Sequence, residues 1–280
     1  MIVNDLDTGT GIVRWRESGD PDAPITAIWH HGTPGIGAPP GPLLAASEAL
    51  GIRWLGFDRP GYGGTTATDS WCVADAAAMA ESVADAAGAG AFAVVGHSGG
   101  GPHALACAAL LGDRVTAAVS LSGLAPYDAD GLDWYAGMYD GGAAELRTAV
   151  NGPGPLHLLL EEEDFKPEMF TPEDHAALAG EWGWFNGVAA AGTAEGPAGM
   201  VSDDLAYVHD WGFDPASVTA PTLLVHGTDD RIVPLAHSRW LAERIARAAL
   251  WERPGAGHLS VMHVGEQMLG WLVSHARPHA

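Results

Sequence analysis

Basic residues are scarce in this chain of 280 residues. Only 13 Lys and Arg stand against 35 Asp and Glu, so the formal net charge at pH 7 is −22. A surface of this charge repels the phosphates of nucleic acids and of anionic lipids. We therefore expect neither a nucleic acid nor a membrane as a partner, and any small-molecule ligand to be neutral or weakly cationic rather than a polyanion. The composition leaves the oligomeric state open.

Long apolar runs and cysteines are scarce as well. No run approaches the roughly 18 apolar residues that a membrane helix needs, and the start MIVNDLDTGTG lacks the basic and apolar regions of a signal peptide. The two cysteines, Cys72 and Cys107, lie in alanine-rich segments, which favours buried free thiols. We therefore expect a cytoplasmic protein.

Short apolar runs recur along the chain, with helix-like stretches between them. Residues 2–6 and 11–18 alternate between apolar and polar side chains, as an antiparallel strand pair does. Further strands are predicted at 26–30, 53–57, 92–96, 115–121, 222–227 and 249–253, and helices at 43–50, 73–87, 99–111, 235–248 and 261–275. Strands that alternate with helices predict an α/β fold, with a mainly parallel, twisted, eight-stranded sheet and helices on both faces.

This rhythm stops between residues 123 and 219, where no strand-like run appears and Trp, Tyr, Phe and Met become frequent. We interpret residues 123–215 as an inserted helical cap, and residues 1–122 and 216–280 as the core. The sequence Thr171-Pro172-Glu173 supplies an N-cap, a proline at the first helical position and an acid in the first turn. It predicts a helix from residue 172 towards residue 190.

Two pairs of large apolar residues in this predicted insertion are spaced to share a helix face. Trp182 and Phe185 stand at i, i+3, and Trp134 and Met138 at i, i+4. Either they pack the cap onto the core or they line an apolar substrate chamber. We take all four as candidate substrate-binding residues.

The stretch GHSGG at 96–100 matches the pattern G-x-S-x-G, with Ser98 at its centre. Such a match is weak alone, but here a predicted strand precedes it and a predicted helix follows. A side chain on so sharp a turn strains its own backbone, and glycines at 96 and 100 avoid collisions with the adjoining strand and helix. The helix N-terminus also favours a developing negative charge. Ser98 is therefore a candidate nucleophile.

A serine hydroxyl needs a base to take its proton and an acid to orient that base. His258 lies in the glycine-rich loop GAGHLS, after the last predicted strand and before the final helix. Asp229 and Asp230 both follow the predicted strand 222–227. The chain order serine, aspartate, histidine is the one expected when these groups converge above a parallel sheet.

Further polar residues lie at the predicted strand ends, but their spacing in the sequence is not one that metal ligands usually have. Asp58 and Arg59 end one strand and begin a turn, and we expect them to form a structural ion pair or hydrogen-bond knot. Several histidines also lie near strand ends: His30, His31, His97, His103 and His226. Neither an H-x-E-x-H-like pattern nor a cysteine pattern accompanies them, so we predict no metal and no cofactor.

Five pieces of the sequence, in this order, resemble the α/β-hydrolase fold family over nearly the whole chain: HHGTPG at 30–35, FDRPGYGGT at 57–65, GHSGGG at 96–101, HGTDDRIVP at 226–234 and GAGH at 255–258. The resemblance implies Ser98 as nucleophile, His258 as general base and Asp230 as acid, because the family's acid usually falls three residues after the glycine of H-G-x-x-D. It also implies that the backbone N–H groups of Thr33 and Gly99 bind the oxyanion, under a helical cap inserted after the sixth strand.

The expected reaction is hydrolysis of an ester, lactone or amide of a small, largely apolar substrate through an acyl-enzyme at Ser98. An ester is favoured because an alkoxide leaves more readily than an amine. Proline iminopeptidases, which the chain also resembles in HHGTPG, generally carry a tryptophan where this chain has Gly99. Three alternatives stay open: such an aminopeptidase, a lyase, cyclase or perhydrolase on the same triad, and a small-molecule receptor with slow turnover.

Overall fold

A computed structural model of the chain describes residues 1–68, 70–162 and 166–276. Within these residues, eight strands form one sheet in the order β1-β2-β4-β3-β5-β6-β7-β8. β1 and β2 pair antiparallel, as do β2 and β4, and the remaining pairs are parallel. The strands are β1 Ile2–Asp7, β2 Ile12–Ser18, β3 Ile25–His30, β4 Ile52–Phe57, β5 Phe92–His97, β6 Val115–Leu121, β7 Thr222–Gly227 and β8 Ala248–Arg253.

The α-helices cover both faces of the sheet and fill the segment between β6 and β7. They are α1 Leu44–Ala49, α2 Asp75–Ala86, α3 Gly100–Leu110, α4 Asp140–Ala149, α5 Pro153–Glu162, α6 Pro172–Ala179, α7 Trp184–Thr193, α8 Ala198–Val208, α9 Ala236–Arg244 and α10 Gly265–His275. In the part of the chain that the structure describes, no helix is both long and apolar enough to cross a lipid bilayer.

Two apolar cores lie on opposite faces of the sheet. Helices α2, α3 and α9 pack on one face, and α1 and α10 pack on the other. Strands β3 to β7 carry continuous apolar runs because both of their faces are buried. The predicted α/β fold is confirmed, and each predicted strand is found with its ends displaced by no more than one residue.

The segment between β6 and β7, called here the β6–β7 segment, contains helices α4 to α8 and no strand among its described residues. A third apolar cluster holds α4, α5 and α8 together and includes the buried rings of Trp134 and Trp211. The cluster also contains Ala106 of α3, so this segment packs directly on the core. The division into a core of residues 1–122 and 216–280 and a cap of residues 123–215 stays a prediction.

The predicted helix start at Pro172 is confirmed, and its predicted continuation towards residue 190 is wrong. Thr171 caps α6 through a reciprocal capping box with Asp174. The helix ends at Ala179 because Gly180, at φ −103° and ψ −143°, leaves the helical region. A short 3₁₀ turn, Glu181–Gly183, and then α7 follow.

The predicted helix carrying Trp134 and Met138 is also wrong. Both residues lie in turns ahead of α4, which begins only at Asp140. Between them Gly137 adopts φ +92°, a left-handed conformation that no α-helix accommodates. The i, i+4 spacing therefore brings the two side chains into one buried cluster without a shared helix face.

Candidate active site

Ser98 lies on the turn between β5 and α3 with φ 55°, one of two positive φ values among the described residues other than glycine. Its N–H donates to the Leu121 carbonyl at 2.8 Å, and its own carbonyl accepts from Gly101 N at 2.9 Å. A Cβ on Gly96 would collide with the Gly100 carbonyl oxygen, so the turn closes only with glycine there. The strained backbone leaves the Ser98 side chain half-exposed at the carboxyl edge of the sheet.

His258 follows β8 and faces Asp230, the aspartate that the family resemblance implies as its acid. Its Nδ1 lies 2.8 Å from Oδ2 of Asp230, and both side chains are buried. The other oxygen of Asp230 accepts the backbone N–H groups of Ile232 and Val233, each at 2.9 Å. Asp229 is exposed and accepts a hydrogen bond from its neighbour Thr228. The structure therefore brings Asp230, rather than Asp229, to His258.

The pKa values of His258 and Asp230 are shifted in opposite directions, each in favour of its charged form. Burial lowers the pKa of His258, but the charge and hydrogen bond of Asp230, with a smaller contribution from Asp174, raise it above its ordinary value. Burial raises the pKa of Asp230, but His258 and His226 bring that pKa well below its usual range. The Asp230 carboxylate is therefore charged at neutral pH and holds the imidazole by its Nδ1 hydrogen.

The Ser98 hydroxyl is not hydrogen-bonded to this pair in the described chain. Among the hydrogen bonds of the described residues, none joins Ser98 to the His258 ring. The two residues are connected through His97, whose Nε2 donates to the His258 carbonyl oxygen at 2.9 Å and whose ring centroid lies 5.0 Å from that of His258. Hydrogen bonds to a nucleophile are often long in the absence of substrate.

The two predicted oxyanion donors lie beside Ser98. A Cβ built on Gly32 would lie 3.4 Å from Ser98 Cβ, so the loop carrying Thr33 runs past Ser98. In the described chain, no hydrogen bond uses the backbone N–H of Thr33 or of Gly99. Two N–H groups without acceptors next to a serine hydroxyl are the arrangement that a tetrahedral oxyanion requires.

Position 99 has room only for glycine, because other side chains fill the space that a Cβ would occupy. A Cβ at this position would collide with the hydroxyl of Tyr207 and with Oγ1 of Thr33. Tyr207 belongs to α8, and its hydroxyl lies 2.8 Å from Thr33 Oγ1. The β6–β7 segment therefore reaches the space directly over Gly99, the residue after Ser98.

A buried network ties this loop to α8. Thr33 Oγ1 donates to Oδ2 of Asp203 at 2.7 Å, and Asp203 pairs with Arg59 at 2.6 Å, with each side chain 1% exposed. Arg59 also donates to the carbonyl oxygens of His31 at 2.6 Å and Gly32 at 3.2 Å. Burial raises the pKa of Asp203, but the charge of Arg59 outweighs it and brings that pKa to about 2.

Of the two arrangements expected for Asp58 and Arg59, the structure shows a hydrogen-bond knot at each residue and, in the described chain, no ion pair between the two. Asp58 instead pairs with Arg16 and accepts from Gly37 N at 2.6 Å, while Arg59 turns to Asp203. Arg59 does take part in a hydrogen-bond knot beside the loop that carries Thr33. The acid of that knot is Asp203, which lies 144 positions from Arg59 along the chain. The sequence carried no signal for Asp203 or Tyr207 beyond their place on one face of a helix.

The four predicted substrate residues lie in different surroundings. Trp134 and Met138 are buried, and Trp134 Nε1 donates to the Ala125 carbonyl at 2.8 Å. Trp182 is buried against the core, 5.7 Å from the ring of Phe185. Phe185 is half-buried and lies 5.0 Å from the His97 ring, so it is nearest to the site. Their burial favours packing for Trp134, Met138 and Trp182, and substrate contact stays a prediction for all four.

Comparison with known proteins agrees with this geometry. A family model described as the alpha/beta hydrolase fold matches residues 28–263. The chain belongs to the alpha/beta hydrolase fold family. Within the described residues of this family member, no group of three or more His, Cys, Asp or Glu side chains is arranged to hold a metal ion.

One curated relative matches over a short stretch. A monoacylglycerol lipase from Mycolicibacterium smegmatis is 41% identical over 68 residues, which are 21% of this chain and 24% of that lipase. The match therefore spans about a quarter of the lipase's length.

Solved structures of alpha/beta hydrolases match over almost the whole chain. The enol-lactonase from Burkholderia xenovorans LB400 superimposes with a TM-score of 0.72 at 18% identity, covering 97% of this chain and 99% of that one. An alpha/beta hydrolase fold protein from Nakamurella multipartita has a TM-score of 0.68 at 25% identity, covering 99% of both chains. At such identities the enol-lactonase establishes a shared fold.

Proposed function

We propose that this protein is a serine hydrolase that cleaves an ester or lactone of a small, largely apolar substrate through an acyl-enzyme at Ser98. The observation that carries the proposal is the 2.8 Å hydrogen bond between His258 and Asp230, both buried, at the strand edge where Ser98 is held in a strained turn. A histidine oriented by a carboxylate is what a serine hydroxyl needs in order to react.

Each group has a distinct role in the proposed mechanism. Asp230 occupies Nδ1 of His258, which leaves Nε2 to take the proton of Ser98 as its oxygen attacks the carbonyl carbon. The N–H groups of Thr33 and Gly99 stabilise the oxyanion that forms, and each such donor is worth roughly 3–4 kcal/mol. His258 then protonates the leaving alkoxide, and a water activated by the same ring hydrolyses the acyl-enzyme.

The surroundings of Gly99 favour esters and lactones over peptides. Where aminopeptidases of the resembling type carry a tryptophan, this chain has the hydroxyl of Tyr207 and no room for a side chain. Lactone and ester cleavage also agrees with the names of two relatives, an enol-lactonase and a monoacylglycerol lipase. The half-buried ring of Phe185 offers an apolar surface close to His97.

Steady-state and burst kinetics test the proposal. We expect short-chain p-nitrophenyl esters to release one equivalent of p-nitrophenol in a burst, followed by slower turnover, and expect Ser98→Ala to show neither phase. Proline p-nitroanilide serves as the matched amide. Faster cleavage of the anilide would favour the aminopeptidase, and negligible turnover with tight, saturable binding of substrate analogues would favour a receptor.

A further inference from the structure

Near the site, the carboxylate that accepts the most hydrogen bonds belongs to helix α6, and not to a strand or to the loops that carry Ser98, Asp230 and His258. Asp174, at the start of α6, is 1% exposed and points into the loop that carries His258. Its oxygens accept from the backbone N–H groups of His258 at 3.1 Å, Leu259 at 2.8 Å and Ser260 at 2.7 Å. The Ser260 hydroxyl donates to it as well, at 2.9 Å.

The same carboxylate also closes the capping box of its own helix. It accepts from Thr171 N at 3.2 Å, while Thr171 Oγ1 accepts from Asp174 N at 3.1 Å. A capping box needs one such bond from the carboxylate, so the four bonds to residues 258–260 exceed what the helix requires. A Cβ on Gly257 would collide with Asp174, so the loop and the carboxylate fit closely.

We propose that Asp174 is a positioning residue for His258: it fixes the backbone of residues 257–260 so that the imidazole faces Asp230, and it adds a second negative charge beside that ring. This inference rests on the proposed serine hydrolase function. It makes α6 part of the catalytic support, because the loop after β8 has its acceptor in the β6–β7 segment, 84 residues earlier in the chain.

The charged groups around His258 determine the direction in which its pKa changes when Asp174 is replaced. Asp230 faces the ring from the loop after β7, Asp174 from α6, and His97 from the end of β5. Burial, followed by the neighbouring His258, brings the pKa of His97 to about 3, so His97 is neutral. His226 contacts Asp230 at 3.4 Å. The anions that stabilise protonated His258 are therefore Asp230 and Asp174, and both raise its pKa.

The direction of the pH effect follows from the role of His258 as a base. Only the neutral ring can take a proton from Ser98, so kcat/KM falls as the pH drops through the pKa of His258. Removal of the Asp174 charge lowers that pKa. The acid limb of kcat/KM then moves to lower pH, whereas a purely structural loss would leave the limb in place.

The test compares Asp174→Asn with Thr171→Ala in the full chain, using p-nitrophenyl butyrate. For Asp174→Asn we expect a fall in kcat of about 10- to 100-fold with little change in KM, and an acid limb at lower pH. Thr171→Ala is the matched control, because it damages the same capping box and leaves the bonds to residues 258–260. We expect it to lower Tm but to keep the wild-type kcat and acid limb.

A second variant covers the case in which Asp174→Asn does not fold. Ser260→Ala removes one of the four bonds to Asp174 and keeps its charge, so we expect a fall in kcat of about 3- to 10-fold, with an unmoved acid limb. Wild-type kcat in Ser260→Ala, or wild-type kcat and acid limb in a folded Asp174→Asn, would overturn the inference.

The inference is separable from the proposed function. If the wild-type protein hydrolyses no ester, the proposed function fails, and the His258 ring can still be titrated by NMR in wild type and Asp174→Asn. A lower His258 pKa in the variant supports the positioning role of Asp174. An identical titration in the two proteins contradicts it.

Discussion

The sheet and the β6–β7 segment contribute to the site in different ways. The carboxyl edge of the sheet carries the proposed reacting groups: Ser98 and Asp230 follow the buried strands β5 and β7, and His258 follows the partly exposed strand β8. The β6–β7 segment supplies carboxylates that accept hydrogen bonds from two loops beside those groups. Asp203 bonds the loop that carries Thr33, and Asp174 bonds the loop that carries His258.

The β6–β7 segment therefore bonds two of the loops that form the candidate site. Asp203 and Tyr207 fix Thr33, and Asp174 fixes the backbone around His258. Substitutions on the sheet should therefore abolish chemistry at constant stability, and substitutions in the segment should change stability or geometry together with rate.

The largest expected effect is on the sheet side. Ser98→Ala removes the nucleophile and should reduce kcat by about six orders of magnitude, without a change in Tm because the side chain is half-exposed. Ester turnover under substrate saturation measures it, with Tm from calorimetry as the control. Residual turnover within tenfold of wild type would remove Ser98 from the mechanism.

Next in size is the loss of the acid. Asp230→Asn leaves His258 without its carboxylate and should lower kcat by about 10⁴-fold. The variant also lowers the pKa of His258, since Asp230 is the group that raises it most, so any remaining activity should persist to lower pH. Asp229→Asn, at the exposed neighbour, is the matched control and should retain full activity. The opposite ranking would assign the acid to Asp229.

A smaller effect, on the free energy of unfolding, is expected from a substitution in the β6–β7 segment. Asp203→Asn leaves the Arg59 guanidinium buried without its anion, which should lower the free energy of unfolding by about 3–5 kcal/mol. Urea denaturation followed by tryptophan fluorescence measures the change. Asp5→Asn breaks the exposed pair with Arg14 and should leave the midpoint nearly unchanged. Equal midpoints for both variants would show that α8 does not anchor the oxyanion loop.

The smallest expected effect comes from the contact between the regions. Gly99→Ala places a Cβ against the Tyr207 hydroxyl and Thr33 Oγ1 and should cost about 1–3 kcal/mol in transition-state stabilisation. Tyr207→Phe removes the colliding oxygen, so the double variant should recover part of kcat/KM relative to Gly99→Ala. Strictly additive losses in this double-mutant cycle would show that the two residues do not interact.

The strands of the sheet were predictable for a local reason. Strands β3 to β7 are short, continuous apolar runs, and Ser98 and Asp230 lie just after two of them, β5 and β7. The turn at Ser98 is encoded by adjacent glycines, and the position of His258 by the loop after β8. The family resemblance pointed to Asp230 over Asp229, although both follow the same strand, and the structure brings Asp230 to His258.

The β6–β7 segment was less predictable because its contacts are distant in sequence. Asp174 reaches His258 across 84 residues and Asp203 reaches Arg59 across 144, and no local pattern marks either carboxylate. Helix spacing was also misleading, since Gly137 and Gly180 interrupt stretches whose apolar periodicity fits a helix. Tertiary packing decided both.

Covalent capture of the nucleophile tests the central claim most directly. A fluorophosphonate reacts only with a serine that a neighbouring base activates, and intact mass followed by peptide mapping locates the adduct. We predict one adduct per chain at Ser98, absent in Ser98→Ala and formed much more slowly in Asp230→Asn. An unlabelled wild-type protein, or an adduct that persists in Ser98→Ala, would contradict the account.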